Sequence, residues 1–270
     1  MSTLQGYSLP LTPGGKSSLV ARPPWNYAGP IMTIDYHADP AAVAAFLPEG
    51  LKPDPDAGSC SALFCEFQSC GDDRSELLDP VRSQYREFLI LINALLDSEP
   101  VTYCPFIWVD GDFALVRGWI QGYPKKMGSV WMTRTYGLNA PADPGLAPGS
   151  VYGAAAASNG WRLAQATLTL ERSLNRKSGR ALINSRHLPQ LEAAHPRKHI
   201  IHDLVRSLDE EVVVQNIWEG ASTLDFFEAA SEELIALAPV RVGKGYLYYS
   251  SWTVSDLKHE RAVSMGANDR

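Results

Sequence analysis

The sequence predicts a β-rich α+β fold, in which an antiparallel sheet closes or nearly closes into a barrel or cone with peripheral helices. Three observations predict it. Most of the chain consists of short segments rich in aromatic and β-branched residues, separated by turn residues. Segments such as VWMTRTY and ATLTL alternate apolar and polar residues with the period of two that half-buried antiparallel strands show. Only two segments carry clear helix signals.

The first part of the chain does not look like part of the sheet. Residues 1–24 are rich in Ser, Pro and Gly and are predicted to form an irregular N-terminal arm. Residues 25–270 are predicted to form a single domain, because strand signals recur along most of that length.

Two helices are predicted from their end signals. In DPAAVAAFLPEGL, Asp39 is the expected N-cap, Pro40 occupies the first turn and Pro48 ends the helix. In STLDFFEAASEELIALAP, apolar residues recur at near-helical spacing, with Ser222 as the expected N-cap and Pro239 beyond the end.

The remaining segments are predicted as strands. They are SALFCEF, FLILINALL, YCPFIWVD, FALVRGWIQGY, VWMTRTYGL, RLAQATLTLE, EVVVQNIW and GYLYYSSWTV. FLILINALL fits a buried helix equally well. The composition of the Pro/Gly/Ala-rich segment 139–160 is typical of a domain linker or of a long surface loop. A loop inside the domain is preferred, because similar strand signals continue on both of its sides.

Composition narrows the class of partner. The net charge is −6, which argues against nucleic acid or an anionic membrane as the main partner. No segment approaches the roughly 18 consecutive apolar residues of a membrane-spanning helix. The first residues show no basic segment followed by an apolar one, so the sequence predicts a cytoplasmic protein.

Neither cysteines nor histidines predict a metal site. Zinc sites usually combine gaps of two to four residues with a second ligand pair. The cysteines in CSALFCEFQSC are instead five residues apart, and the histidines in HPRKHIIHD stand among basic neighbours that would repel a cation. The residues concerned are Cys60, Cys65, Cys70, His195, His199 and His202.

The segment RGWIQGYPKKMGS, residues 117–129, carries the strongest chemical signal. A lysine amine becomes nucleophilic when burial or a neighbouring cation lowers its pKa, and it then condenses with a ketone to form an imine. Pro124 fixes the backbone before the lysine pair, and Gly122 and Gly128 leave space for close approach. Because successive side chains of an extended chain alternate, only one of Lys125 and Lys126 can point inward.

Several motifs in one order, from about residue 24 to 255, resemble the acetoacetate decarboxylase-like superfamily. They are IDYHADPAAVAAFLPEGL, QYREF, GYPKKMG, HLPQLEAAHPRKHIIHDL and VVVQNIWEGASTLDFF. The resemblance implies that Lys125 is the imine-forming residue and Lys126 its neighbour in the site. It also implies that Glu87, in QYREF, takes and returns protons as imine and enamine interconvert.

The resemblance names further candidates for the site. Tyr85 belongs to the same QYREF element and is a candidate for substrate binding. A second acidic residue of the decarboxylases falls in LFCEF, on Cys65 or Glu66 depending on register, so Glu66 is a candidate too. A tyrosine on a late strand assists in some members. The candidates for that role are Tyr246, Tyr248 and Tyr249, of which neighbouring ones face opposite sides.

Two departures bear on the reaction. Acetoacetate decarboxylases place an arginine in the early strand, where this chain has Gly29 and Pro30. They also carry a glutamate in the segment just before the lysines, which here reads Trp119, Ile120 and Gln121. A glutamine at that position resembles members that condense pyruvate with aldehydes and then eliminate water.

The resemblance therefore implies an imine-forming carbon–carbon lyase that acts on a small oxo acid. Pyruvate aldol condensation with dehydration is slightly preferred, and decarboxylation of a β-oxo acid such as acetoacetate stays open. No metal or organic cofactor is expected, because the protonated imine is itself the electron sink. A homo-oligomer is expected from the family. The rival hypotheses are a non-catalytic barrel that binds a hydrophobic small molecule and an inactive structural homologue.

Overall fold

The computed structural model describes residues 3–138, 140–176, 179–189 and 199–263, with only the backbone for 199 and 200. Twelve strands make up most of these residues. They are β1 Trp25–His37, β2 Leu51–Pro53, β3 Ser59–Cys70, β4 Gln84–Leu96, β5 Glu99–Val109, β6 Lys125–Met127, β7 Ser129–Met132, β8 Val151–Ser158, β9 Trp161–Leu174, β10 Ala181–Pro189, β11 His199–Phe226 and β12 Arg241–Ala262.

Two α-helices interrupt the strands, α1 at Pro40–Ala45 and α2 at Asp112–Ile120. Short 3-10 helices occur at Ser75–Leu78, Pro80–Arg82 and Leu234–Leu237. No helix among the described residues is long and apolar enough to cross a membrane.

The strands form one continuous sheet that closes on itself. Its order is β10-β5-β4-β3-β1-β12-β11, and β10 also pairs with the first part of β11, so these seven strands form a ring. The later part of β11 pairs with β9, and β8 and β7 continue from there. Most pairs are antiparallel, whereas β10 and the short β6 run parallel to β5. The predicted β-rich α+β class with a closed antiparallel arrangement is confirmed.

Strands β3, β4 and β5 are buried on both faces, and their two faces pack into different cores. Along β3, Phe64 packs into one core together with Phe88 and Trp108, while Cys65 packs into another together with Tyr85. This alternation is the period of two expected of a strand that is buried on both faces. We call the cluster around Phe64 the first core and the cluster around Cys65 the second core. The second core also receives Phe113 and Ala114 of α2.

Several predicted elements agree with the structure. Helix α1 begins after Asp39, whose carboxylate accepts a hydrogen bond of 2.7 Å from the backbone N–H of Ala41, and Pro40 is its first residue. FLILINALL is part of the strand β4 and not a helix. Residues 3–24 have little regular structure beyond an isolated bridge between Gln5 and Thr12.

Three local predictions are wrong. FALVRGWIQGY is mostly helix α2, because its apolar residues pack on two sides of a helix: Phe113 and Ala114 in the second core, and Val116 and Ile120 against the cluster of Val20 and Trp25. The helix predicted to start at Ser222 is absent, because Ser222 lies in β11, where it pairs with Leu168. Segment 139–160 is not all loop, since residues 151–158 form β8.

Candidate active site

A buried ion pair stands at the centre of the candidate site. The Nζ atom of Lys125 donates a hydrogen bond of 2.8 Å to Oε2 of Glu87. The side chains are 7% and 10% exposed, respectively. Taking two charges out of water costs several kcal/mol per ion, which the pairing must offset. A pair held in such a place is therefore a candidate for chemistry.

Neighbouring strands bring the two residues together. Glu87 lies in β4 opposite Val109 of β5, and Lys125 begins β6 opposite Ile107 of the same strand. Residues 107 and 109 of a strand point to the same face, so the side chains of their partners meet there. Both Ile107 and Val109 belong to the second core. The amine and the carboxylate thus share an apolar surrounding.

Helix α2 holds Lys125 from the other side. The indole Nε1 of Trp119 donates to the backbone oxygen of Lys125 at 2.8 Å. The aliphatic stem of Lys125 passes so close to Gly118 that a Cβ there would lie 2.3 Å from Lys125 Cδ. Between helix and strand, Gly122 has φ of +83°, a left-handed conformation that favours glycine. The turn that carries Lys125 into the site depends on these glycines.

A second buried cation lies beside the pair, and it is not Lys126. Arg117 of α2 is 5% exposed. Its Nη1 donates to Ser69 Oγ at 3.0 Å, and its Cζ lies 4.7 Å from the centre of the Tyr27 ring. Its Nη2 has no hydrogen-bond acceptor within the described part of the chain. The guanidinium therefore keeps a donor available for a ligand.

Tyr85 lies between the two cations. Its ring centre is 5.3 Å from Nζ of Lys125 and 5.5 Å from Cζ of Arg117. Attraction of a cation to an aromatic face is worth more where water is excluded. Burial raises the pKa of Tyr85 well above its ordinary value, and the nearby Glu87 carboxylate raises it further. Tyr85 therefore remains a neutral phenol.

Gln121 ends helix α2 with its side chain buried. Its Nε2 donates to the hydroxyl of Tyr27 at 3.3 Å and to the backbone oxygen of Arg117 at 3.4 Å. Because Gln121 and Arg117 are four residues apart in a helix, they lie on one face. Tyr27 contacts both, so this tyrosine connects the glutamine to the arginine.

Strand pairing shows which residue of LFCEF lies opposite Glu87. Cys65, and not Glu66, lies opposite Glu87 in the β3–β4 pair. Burial raises the pKa of the Cys65 thiol well above its ordinary value; the Glu87 carboxylate also raises it, and the Lys125 ammonium lowers it. Burial likewise raises the pKa of Cys104, with the same two charges acting on it. The site thus contains neutral thiols, and Glu87 is the carboxylate that contacts the lysine.

Lys126 points away from this group. Its amine donates to Oε1 of Glu232 at 2.6 Å, and its side chain is 46% exposed. One lysine faces inward and the other outward, as strand alternation requires. The structure therefore does not bring Lys126 to Glu87, and the cation that shares the buried site with Lys125 is Arg117.

Glu66 and Tyr249 also lie elsewhere. Both line a cavity of about 890 Å³ whose polar walls include Gln68, Arg86 and Arg134. Glu66 accepts hydrogen bonds from Arg134 there. Lys125 and Glu87 do not line that cavity. Glu66 alternates with Cys65 along β3, so its side chain leaves the strand on the other face. Tyr85 and Phe67 of the second core also line this cavity.

The neighbouring tyrosines of β12 differ in position. Tyr248 packs against the second core, and its hydroxyl lies 3.3 Å from Oγ1 of Thr33. Burial raises the pKa of Tyr248, and the bond to Thr33 lowers it. Tyr249 points to the opposite face, whereas Tyr246 shares the face of Tyr248 two residues away along the strand. Tyr248 is therefore the one of the three that packs against the core that holds Lys125.

Metal ligands do not converge within the described ranges: no three His, Cys, Asp or Glu side chains there could hold one ion. His195 and the side chain of His199 lie outside the described residues. His202 stacks edge-on against His187, with ring centres 4.8 Å apart. Cys60 and Cys65 pack into different cores and so cannot bind one ion together.

The arrangement suits imine chemistry. A primary amine that is hydrogen-bonded to a carboxylate can pass its proton to that carboxylate and then attack a carbonyl carbon. The same carboxylate can return the proton as water leaves. A guanidinium nearby can hold an anionic group of the substrate in a planar, two-donor geometry.

Three of these residues were not predicted from the sequence. Arg117 stands out in FALVRGWI as a lone charge in an apolar segment, and that signal could have found it. Gly118 and Tyr27 carry no comparable signal, because their importance depends on the path of Lys125 and on the position of α2.

Comparisons with known proteins identify related structures. The family model described as "Acetoacetate decarboxylase (ADC)" matches residues 8–263. The structure of MppR, an enduracididine biosynthesis enzyme complexed with the condensation product of pyruvate and imidazole 4-carboxaldehyde, is 35% identical with a TM-score of 0.88; the alignment covers 96% of this chain and 97% of that one.

Two further structures extend the comparison. An acetoacetate decarboxylase-like enzyme from Sphingomonas wittichii RW1 is 29% identical with a TM-score of 0.88, over 96% of this chain and 100% of that chain. Acetoacetate decarboxylase from Legionella pneumophila is 14% identical with a TM-score of 0.75, over 97% and 98%, and shows likeness of fold alone. Among the curated proteins, none matches this sequence.

Proposed function

The chain belongs to the acetoacetate decarboxylase family, and we propose that it is an imine-forming carbon–carbon lyase in which Lys125 condenses with a small oxo acid. The observation that carries the proposal is the buried contact of 2.8 Å between Lys125 Nζ and Glu87 Oε2. It places a nucleophile and a proton acceptor within transfer distance, away from bulk water.

The first half of the reaction forms an enamine. Lys125 passes a proton to Glu87, and the neutral amine attacks the ketone carbon of pyruvate. The resulting carbinolamine takes the proton from Glu87 and loses its hydroxyl as water, which leaves a protonated imine. Glu87 then removes a proton from the methyl carbon, and the electrons of that C–H bond move toward the imine nitrogen to give the enamine.

The second half joins the partner and releases the product. The enamine methylene carbon attacks the carbonyl carbon of an aldehyde, and the new alkoxide takes a proton. Loss of a second proton from the pyruvate-derived carbon and of the hydroxyl as water creates a carbon–carbon double bond. Water then hydrolyses the imine and frees Lys125. The sum is pyruvate plus aldehyde giving an unsaturated oxo acid and one water.

Arg117 is the proposed binding partner of the substrate carboxylate. Lys125 and Arg117 are cationic and Glu87 is anionic, so these three side chains carry one net positive charge that a monocarboxylate neutralises. The unoccupied Nη2 of Arg117 supplies the donor. The Tyr27 ring lies against this guanidinium, and Gln121 donates to the Tyr27 hydroxyl and to the backbone oxygen of Arg117, so we propose that both residues position the arginine.

Condensation is preferred over decarboxylation for two reasons. MppR, which shares about a third of its residues with this chain, has been seen with a condensation product of pyruvate. In addition, the strand position opposite Glu87 is Cys65, a neutral thiol, so the pair has no second carboxylate from β3. Decarboxylation of a β-oxo acid remains the second candidate, because the family description names it and the same imine would accept the electrons.

Product analysis tests the proposal. The protein is incubated with pyruvate and imidazole 4-carboxaldehyde or benzaldehyde, and the conjugated product is followed by its ultraviolet absorbance. In parallel, acetoacetate is supplied and carbon dioxide is measured. Conjugated product supports condensation, whereas carbon dioxide without it supports decarboxylation. If neither product forms with a panel of oxo acids, a non-catalytic binding protein or an inactive homologue is favoured. A homo-oligomer remains part of the proposal, to be checked by light scattering.

A further inference from the structure

The cavity of about 890 Å³ that has Arg86 and Arg134 in its walls is separate from the reactive pair. Its volume lies within the range of about 300–1,000 Å³ that small-molecule sites occupy, and it is far larger than a three-carbon oxo acid needs. Lys125, Glu87 and Arg117 do not line it. An organic ligand would thus fit there without occupying the place of the reactive pair.

The two arginines of this cavity meet at one carboxylate. Glu66 of β3 and Arg86 of β4 lie directly opposite each other in the sheet, and side chains at such positions have Cβ atoms about 5 Å apart. Arg134, in the segment after β7, reaches the same place, because its Nε and Nη2 donate to the two carboxylate oxygens of Glu66. Both arginines are therefore neighbours of Glu66.

The hydrogen bonds of this wall leave donors for a ligand. Both oxygens of Glu66 already accept from Arg134. One oxygen of Asp110 accepts from the backbone N–H of Arg86 at 2.6 Å, and the other lies 3.1 Å from Arg86 Nε. Arg86 Nη1 donates to the carbonyl of Val130 at 3.1 Å. These contacts use neither Nη1 of Arg134 nor Nη2 of Arg86, so a ligand that matches the wall supplies acceptors, as a carboxylate does.

The segment that carries Arg134 is held in place by the buried carboxylate of Asp143. This carboxylate accepts a hydrogen bond of 2.6 Å from the hydroxyl of Thr135 and further bonds from three backbone N–H groups nearby. The bond from Thr135, together with the backbone bonds, lowers the pKa of Asp143 to about 2, so the group is charged at neutral pH. A donor on a segment fixed in this way loses little freedom when a ligand binds.

Other walls of the cavity are apolar or aromatic. Pro30 of β1 and Tyr249 of β12 are partners in the sheet, and Leu247 is two residues from Tyr249 on the same face. Tyr152 also lines the cavity, and its hydroxyl already donates to the carbonyl of Gly145 at 2.6 Å, which leaves the ring as its contact surface. These walls fit a flat apolar body, since aromatic faces pack well against another ring.

We propose that this cavity is a second binding site, which takes a planar aromatic carboxylate. Arg86 and Arg134 bind the carboxylate through the nitrogens that the ion pairs leave unused, and the apolar walls receive the ring. The site lies back to back with the reactive pair, because Arg86 and Glu87 are adjacent in β4 and point to opposite faces. It does not depend on the imine chemistry proposed for Lys125.

Calorimetric titration of the full-length protein tests the proposal with trans-cinnamate, an aromatic carboxylate that has no ketone and so cannot form an imine. Cinnamamide has nearly the same shape without the charge, and acetate has the charge without the ring. We expect saturable binding of cinnamate. Cinnamamide and acetate should each bind at least about tenfold more weakly, because the first lacks the charge-assisted hydrogen bonds and the second lacks the buried ring.

Two variants locate the binding. Arg134→Met removes a donor at an exposed side chain and should weaken cinnamate binding by at least about tenfold. Ala28→Phe places a ring in the cavity and leaves both arginines unchanged, so it should weaken cinnamate binding at least as much. The matched control is Arg162→Met, at an exposed arginine that is bonded to Gln165 and does not line the cavity. It should bind cinnamate like the wild type.

Arg117→Met and Lys125→Met distinguish this site from the active site, and both should bind cinnamate like the wild type. The proposal is overturned if cinnamate shows no saturable binding below about 1 mM, or if it binds no better than cinnamamide or acetate. It is also overturned if Arg117→Met loses the binding while a variant at Arg134 or Ala28, folded by circular dichroism, keeps it. If Lys125 traps no oxo acid, the proposed function fails, and the cinnamate titrations still decide this inference.

Discussion

The side chain of Lys125 passes directly over the α-carbon of Gly118, so that a Cβ at residue 118 would lie 2.3 Å from Cδ and 2.7 Å from Cε of the lysine. Helix α2 thus packs directly against the aliphatic stem of Lys125, whose amine reaches Glu87. A larger side chain at residue 118 would occupy the space that this stem takes.

Gly118→Ala should therefore impair the amine while favouring the helix. In an ordinary helix interior, alanine is better than glycine by about 1 kcal/mol. Here we expect the clash to displace Lys125 and to lower the trapping rate with pyruvate by at least about tenfold. In a Lys125→Ala background the clash is gone, so Gly118→Ala should raise the free energy of unfolding measured in urea. Unchanged trapping would show that the stem of Lys125 takes another path.

Patterns that depend on neighbouring residues were predictable from the sequence. Asp39 and Pro40 locate the start of α1, and period-two alternation identifies β9. The helix predicted at Ser222 failed because Leu224 and Phe226 alternate with exposed residues, as in a strand. Only the four residues Leu234–Leu237 of that segment lie in a short 3-10 helix.

The site was only partly predictable, for a physical reason. Lys125 and Glu87 follow from resemblance, and the structure brings them together. Which of two adjacent residues of β3 lies opposite Glu87 depends on the register of the β3–β4 pair, which joins residues far apart in the sequence. The sequence alone could therefore not decide between Cys65 and Glu66. Residues 113–123 were predicted as a strand, whereas Arg117 and Gly118 lie in helix α2 and Gln121 caps its end.

Glu87→Gln keeps the shape of the side chain and removes its charge. We expect the overall rate to fall by about 100-fold or more, because general acid–base catalysis contributes 10²–10⁴-fold. Stability should also fall, by about 3–5 kcal/mol, since the Lys125 ammonium loses its buried partner. Steady-state kinetics and urea unfolding measure the two effects. Glu171→Gln, at the exposed pair with Lys244, should change stability by no more than about 1 kcal/mol. A Glu87→Gln enzyme with wild-type kcat would remove Glu87 from the mechanism.

Arg117→Met removes the second buried cation and keeps an apolar stem. The pyruvate concentration for half-maximal trapping should rise about 10–100-fold, the equivalent of about 1.5–3 kcal/mol for a hydrogen bond to a charged group. Acetone has no carboxylate, so its trapping should be nearly the same in both proteins. Arg162→Met, at an exposed arginine bonded to Gln165, is the control. Equal pyruvate dependence in wild type and Arg117→Met would place the carboxylate elsewhere.

Tyr85 makes stability depend on pH in the alkaline range. Its ordinary pKa is 10.0, and burial raises the pKa in the folded protein. The unfolded chain therefore loses this proton first, so the folded state holds more protons above about pH 10. Above about pH 10, the ionisation of Tyr85 should lower the free energy of unfolding by about 1.4 kcal/mol per pH unit. Below that pH, Tyr85 should leave the free energy of unfolding unchanged. Tyr85→Phe should reduce the slope by that amount in urea titrations. Tyr136→Phe, at a residue 63% exposed, is the control; equal slopes in wild type and Tyr85→Phe would contradict the assignment.

The covalent step is tested most directly by trapping. Wild type and Lys125→Met are incubated with pyruvate and sodium borohydride, digested, and analysed by mass spectrometry. The account predicts a reduced pyruvyl adduct on Lys125 of the wild type, none on the neighbouring Lys126, and none at residue 125 or 126 of the variant. The account is contradicted if the wild-type protein forms no adduct with pyruvate, acetoacetate or other small oxo acids. It is also contradicted if the variant traps as well as the wild type.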